Sequence, residues 1–297
     1  MYTGRFAPSP TGPLHFGSLV AAVASYLEAK KHQGRWLVRM EDVDKPREVK
    51  GAADTILHQL EDFGFEWDGA VVYQSQRDDI YATALKQLNA QQLIYPCTCT
   101  RKEIADSSHQ IGIDGMIYPR TCLNHPLKSN AAMALRIRTD NRECSFTDAI
   151  QGTITQHLAT QVGDFILKRA DGLFAYQLAV VADDAQQEVT HIVRGADLLD
   201  STPRQIYLQQ CLGYQTPHYA HVPVASNATG EKLSKQTLAS ALDEANANYQ
   251  LFHALSFLGQ NPPAEIKNAT LSEVWRWAFT YWQLSQAPKT RSLHLSD

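Results

Sequence analysis

The stretch Arg5-Phe6-Ala7-Pro8-Ser9-Pro10-Thr11-Gly12-Pro13-Leu14-His15-Phe16-Gly17-Ser18 decides the fold. Residues 2–7 read as an extended strand, the prolines and glycine of 8–13 exclude regular structure, and Leu19, Val23, Tyr26 and Leu27 recur at helical spacing. Strand, rigid loop and helix make half of a βαβ unit. His15-x-Gly17 falls where that helix begins, so the free N–H groups and the positive dipole end face any bound anion. His15 can hydrogen-bond a phosphate and Gly17 lets one approach closely. Pro-rich loops and helix starts are common, so this motif by itself does not establish an activity.

Working outward, residues 36–40 after Gly34 read as the next strand and put Glu41 and Asp42 at its carboxyl end, where open parallel sheets bind ligands. One helix runs through Ile56, Leu60 and Phe63 to a stop at Gly64, and Ser75-Gln76-Arg77-Asp78 predicts a capping box opening another. From Tyr95 to about Phe146 the periodicity gives way to Cys, Gly, Pro and His, which predicts an inserted module over 95–146. The sheet then resumes. Residues 165–167 and 173–181, separated by Ala170-Asp171-Gly172, predict a hairpin; 191–193 predict a short strand, and Thr202-Pro203 starts a helix that Gly213 ends. Beyond Lys235, Leu251, Phe252, Leu255 and Leu258, then Val274, Trp275, Ala278, Tyr281 and Trp282, repeat at helical spacing around Pro262-Pro263. The expected layout is a parallel-sheet α/β domain split into 1–94 and 147–240 around the module, with a small helical appendix over 241–297.

A chain of 297 residues buries roughly three quarters of its unfolded surface, and 44% hydrophobic against 20% charged residues excludes a disordered protein. The net charge of −4 argues against a wholly basic nucleic-acid face, yet Arg101-Lys102 and Lys168-Arg169 can meet phosphates locally. The apolar run 19–27 falls short of the roughly 20 residues that span a bilayer, and the amino terminus carries no charged-then-apolar leader. A cytoplasmic protein without a membrane partner is expected, and nothing in the sequence calls for more than a monomer. Five cysteines are an odd number for a secreted disulfide framework, whereas Cys97, Cys99 and Cys122 cluster as metal ligands do in a reducing compartment. Cys144 and Cys211 read as plain thiols. A tetrahedral structural zinc wants a fourth ligand; spacing nominates His125 in Cys122-x-x-His125, and His109 is a further alternative.

A second motif, Lys232-Leu233-Ser234-Lys235 after Gly230-Glu231, places two ammonium groups suited to a pyrophosphate leaving group. Taken singly it reads as solvated surface. Paired with His15-Phe16-Gly17-Ser18, it resembles the His-Ile-Gly-His and Lys-Met-Ser-Lys-Ser signatures of class I aminoacyl-tRNA synthetases. Arg5 to Gly12, Glu41-Asp42-Val43-Asp44, Gly172 to Asp184 and Val193-Arg194-Gly195-Ala196-Asp197 further resemble the catalytic half of glutamyl-tRNA synthetases. An ordinary member carries a large anticodon-binding region after the lysine signature, whereas only about sixty residues follow it here. With the Cys-x-Cys, Tyr, Cys set, that shortened form is similar to the glutamyl-queuosine tRNA(Asp) synthetases, which attach glutamate to the wobble base queuosine.

The resemblance implies a Rossmann-like catalytic domain and a two-step reaction: activation of L-glutamate by ATP without tRNA, then transfer to queuosine in tRNA(Asp). It places His15, Gly17, Ser18, Lys232 and Lys235 on ATP with Mg²⁺, and Ser234 with them in the catalytic set. It gives Arg5 and Arg194 to the substrate carboxyl groups, Glu41 to the ammonium, a hydroxyl role to Tyr176, and the pocket wall to Arg5, Phe6, Ala7, Pro8 and Ser9. Glutamate presents two carboxylates and one ammonium, so fixed cations and an acceptor are what its pocket needs. The resemblance also points to Tyr118 as the fourth zinc ligand beside Cys97, Cys99 and Cys122, with His125 and His109 as the alternatives. No general base for the transfer stands out. Two rival readings are a shortened glutamyl-tRNA synthetase charging the 3′ end of tRNA(Glu), and an inactive RNA-binding relative.

Overall fold

The computed structural model describes residues 1–108, 110–113, 115–226 and 240–294. Strand β1 (Thr3–Phe6) pairs in parallel with β2 (Arg35–Met40), Thr3 opposite Arg35 and Phe6 opposite Val38, and α1 (Phe16–Lys31) makes the crossover. The return from α1 needs a glycine: a Cβ at Gly34 would stand 2.5 Å from the Tyr2 carbonyl oxygen. Helix α2 (Ala52–Asp62) then leads to the short β3 (Val72–Tyr73), parallel to β2. On the other side of β1, the Thr190 N–H donates to the Thr3 carbonyl at 2.9 Å, which brings strand His191–Gly195 alongside; this strand pairs in parallel with His218–Val222. Both faces of β1 and nearly all of β2 are buried, as a parallel sheet covered by helices requires.

Helix α1 is buried without interruption from Ala22 to Ala29, so it is wrapped on more than one side. Its outer cover is the region expected as an appendix. Helices Ala247–Phe257 and Leu271–Tyr281, with Leu258 and Trp282 just after them, put Leu251, Ala254, Leu255, Leu258, Val274, Trp275, Ala278 and Trp282 into the same apolar core as α1 and β2. Trp275 Nε1 donates to the Phe63 carbonyl at 2.8 Å and Trp282 Nε1 to Glu28 Oε2 at 2.7 Å, which fixes both helices to the amino-terminal half. A second core lies under α3 (Asp78–Ala90) and helices Tyr176–Gln186 and Thr202–Leu212.

Two local expectations are corrected. The Ser75 pattern is not a capping box: Arg77 precedes α3 without a side-chain cap, and the Ser75 N–H and hydroxyl instead donate to Asp42 at 2.8 and 2.6 Å. The predicted hairpin is absent as well. Phe165–Lys168 pairs antiparallel with Ala134–Ile137, which pairs with β4 (Ile94–Cys97), and only the isolated Lys168–Phe174 bridge joins the two runs. The second run is helix Tyr176–Gln186, whose residues 178–184 are all buried; an apolar run buried all round shows no period by which to tell helix from strand. Between β4 and Ala134–Ile137 lie α4 (Arg101–Ser107), opened by a Thr100/Glu103 capping box, and the single turn Thr121–Asn124. Strands Glu143–Asp148 and Gly152–His157 form a hairpin that follows. No helix among the described residues is long and apolar enough to cross a membrane.

Candidate active site

The carboxyl ends of the parallel strands open into a cavity of about 500 Å³. Arg5, Phe6, Ala7, Pro8, Ser9, His15, Gly17, Ser18, Glu41, Tyr176 and Arg194 all line it, so the structure collects every described residue singled out for ATP and glutamate in one place. Lys232, Ser234 and Lys235 lie outside the described residues. The described chain on either side of them borders the same cavity: Val224 and Ala225 line it, Ala241 bridges to His15, and the Leu242 N–H donates to the Leu14 carbonyl at 2.9 Å.

At one end of the cavity, His15 caps α1, its Nδ1 accepting the Ser18 N–H at 3.4 Å. The first turn contains no acidic residue, so the positive end of the helix dipole is left for an anion. At the other end the charges are buried. Asp184 accepts Arg5 through Nε at 3.2 Å and Nη2 at 3.4 Å, and Arg39 Nη2 at 2.8 Å; Arg39 Nη2 also reaches Glu41 Oε1 at 3.3 Å. Burial would push the Asp184 carboxyl up, but Arg5 and Arg39 outweigh it and hold the group below the ordinary carboxylate range. Burial pushes Glu41 up, against the pull of Arg39 and Arg5. Tyr176 is pushed up to about 12 by burial, with Glu41 adding to it, so it stays a neutral hydroxyl. Asp183, the preceding residue, takes Arg77 Nε at 2.6 Å, Gln74 Nε2 at 2.7 Å and the Tyr81 hydroxyl at 2.9 Å, and lies 3.8 Å from Arg39 Nε.

Away from the cavity, the Sγ atoms of Cys97, Cys99 and Cys122 lie within 4.8 Å of one another, a group able to hold a metal ion. The Tyr118 hydroxyl sits among them, 3.3 Å from Cys97 Sγ and 3.6 Å from Cys99 Sγ, and accepts the Cys122 N–H at 2.8 Å. A phenolic oxygen against two thiols, beside a third, fits a four-ligand site. His125 is not part of that group, and His109 lies outside the described residues.

Comparison with known proteins settles the family. The model of the class I tRNA synthetases (E and Q), catalytic domain, matches residues 2–278. The chain belongs to this family. Within it, the glutamyl-Q tRNA(Asp) synthetases of Dechloromonas aromatica and Chromobacterium violaceum are 58% and 56% identical to it, each match covering 97% of this chain and 96% of the relative. The glutamate-tRNA synthetase of Elizabethkingia anophelis shares the fold at a TM-score of 0.81 and 24% identity, covering 99% of this chain and 68% of that one. In this parallel-sheet fold the first strand and the described chain just after Val222 border one crevice.

Several residues of this class I site escape sequence reasoning. Asp184 stands in a run that resembles the family, yet nothing local distinguishes it from Asp183. Arg39 leaves a trace, being a charge inside the apolar strand Trp36-Leu37-Val38-Arg39-Met40, and it is fully buried. Thr202, Gln205 and His221 come to Arg194, and Asp148 to His221, only through the tertiary fold.

Proposed function

We propose that this chain activates L-glutamate with ATP and transfers the glutamyl group to queuosine in tRNA(Asp). The observation that carries this reading is the single cavity in which Arg5, Arg194, Glu41 and Tyr176 share walls with the His15 helix start. Two guanidiniums and a carboxylate match the two carboxylates and one ammonium of glutamate, and the helix start suits the triphosphate. In the first step a carboxylate oxygen of glutamate attacks the α-phosphorus of ATP, and the bond to the β-phosphate oxygen breaks to release pyrophosphate. His15, the α1 N–H groups, Lys232 and Lys235 take up the developing charge, with Mg²⁺ accompanying the nucleotide; Ser234 belongs to the same signature. In the second step a queuosine hydroxyl attacks the activated carbonyl and AMP departs. No protein nucleophile enters, so catalysis rests on positioning and charge stabilisation.

Zinc bound by Cys97, Cys99, Cys122 and Tyr118 would tie β4 to the Thr121–Asn124 turn and act structurally. Residues 95–146 would thereby hold their shape as a module facing RNA. The names of the relatives favour queuosine as the acceptor over a 3′ end. Glutamate-dependent exchange of pyrophosphate into ATP without RNA, followed by glutamylation of matched tRNA(Asp) with and without queuosine, tests both steps. Exchange and labelling of queuosine-containing tRNA(Asp) alone are expected; charging of unmodified tRNA(Glu) in its place would overturn the acceptor.

A further inference from the structure

Arg194 is 4% exposed, and neutral acceptors hold one edge of its guanidinium. His221 Nε2 accepts Nε–H at 3.0 Å, while Thr202 Oγ1 and Gln205 Oε1 each accept Nη2 at 2.8 Å. Nη1 is buried and has no hydrogen-bond partner among the described residues. Arg5 differs, since Asp184 closes its corresponding edge with a full carboxylate. The positive charge of Arg194 is therefore not cancelled by direct contact with an acid.

His221 explains how such a cation is kept in place. The ring is fully buried and stacks at 6.1 Å on Tyr219; its Nδ1 stands 2.6 Å from Asp148 Oδ2, and its backbone N–H donates to Asp148 Oδ1 at 3.1 Å. A guanidinium can only donate, so Nε2 must offer a lone pair and the ring proton must sit on Nδ1, donating to Asp148. Burial, with Arg194 adding to it, pushes the imidazole down to about 4 against the pull of Asp148. Asp148 is itself pinned, for its Oδ1 caps the following turn through the Ile150 and Gln151 N–H groups at 3.0 and 2.9 Å.

We propose that Asp148 and His221 are positioning residues for Arg194: the carboxylate fixes the tautomer, and Nε2 fixes the guanidinium in the wall of the cavity, where a substrate carboxylate would meet it. One imidazole separates Asp148 from Arg194, so the acid orients the cation without contacting it. This inference rests on the reading above that Arg194 meets glutamate.

The test compares His221→Leu, His221→Gln, Asp148→Asn and Arg194→Ala in the full chain, by calorimetric glutamate binding and by KM for glutamate and ATP in pyrophosphate exchange. Losing a hydrogen bond to a buried charge predicts a rise of about 10- to 100-fold in glutamate KM for His221→Leu, with ATP KM within about twofold. His221→Gln, whose Oε1 can accept from Nε, is expected to recover most of the loss. If His221→Leu does not fold, Asp148→Asn carries the same expectation, because the ring is then free to change tautomer. Unchanged glutamate KM in the folded variants, an equal rise in both KM values, or a Gln variant as weak as the Leu variant would overturn the positioning role. Arg194→Ala separates the two levels. If it leaves glutamate binding unchanged, the pocket reading falls along with this one; if it abolishes binding while the His221 and Asp148 variants do not, only the positioning role falls.

Discussion

Replacing Asp184 by Asn removes one negative charge from between two buried guanidiniums. Arg5 and Asp184 are each 4% exposed and Arg39 is fully buried, so water cannot make up the loss. In the surrounding network Arg5, Arg39 and Arg77 face Glu41, Asp183 and Asp184; the variant leaves three cations against two anions. Asn keeps one acceptor for Arg39 or Arg5 but turns an NH₂ towards the other, donor against donor. Breaking a buried pair in this way costs about 3–5 kcal/mol, a large share of a typical stability of about 5–15 kcal/mol. With a urea slope of about 3 kcal/mol/M, the unfolding midpoint should fall by about 1 M or more. The pH dependence provides a second check. Because Asp184 is held below its unfolded pKa of about 3.9, its contribution is complete above that pH and is lost as pH falls through the folded value. The gap between wild type and Asp184→Asn should therefore be full at neutral pH and shrink below about pH 4. Midpoints that coincide at neutral pH, or a gap that persists unchanged in acid, would refute the account. Glutamate KM should rise in parallel, since Arg5 loses the contact that orients it.

Three other perturbations separate the parts of the site. His15→Ala should lower pyrophosphate exchange by about 100-fold while costing only about 1 kcal/mol of thermal stability through the lost cap, and an equal collapse of both would deny His15 its phosphate role. Metal analysis of the purified chain should find one zinc per molecule, absent from Cys97→Ser/Cys99→Ser and bound more than about tenfold more weakly by Tyr118→Phe; unchanged content in the double variant would remove the ligand assignment. Stability should fall as pH drops from about 6.5 to 4, because folding holds His221 and His191 at about 4, so the unfolded chain takes up protons that the native state refuses. Thermal melts across that window check the sign, and His191→Gln should flatten the slope.

The half-unit built from β1, the Pro-rich loop and α1 is legible in sequence because each signal in it is local: an extended strand, prolines, and apolar residues at helical spacing. The strand's bounds and the start of the helix agree with the structure to within a residue or two. Helix Tyr176–Gln186 was illegible for the opposite reason. It is buried on every side, so burial erased the polar face from which a period is read. The same logic applies to the carboxyl-terminal helices. Their apolar faces are visible in sequence, but not that the surface they cover is α1, some 220 residues earlier in the chain.

The site divides along the same line. The residues that a ligand would touch stand in short motifs and could be recognised one by one, whereas those that hold them are fixed by distant contacts. Asp184 reaches Arg5 across 179 positions and Arg39 across 145; Asp148 reaches His221 across 73. A carboxylate in such a place has no local pattern, because its only requirement is to meet a particular guanidinium or imidazole once the sheet has formed. That requirement makes the supporting acids informative. Arg5 contacts an acid directly and Arg194 does not, so the two arginines of one pocket are held in different ways, a difference no motif records.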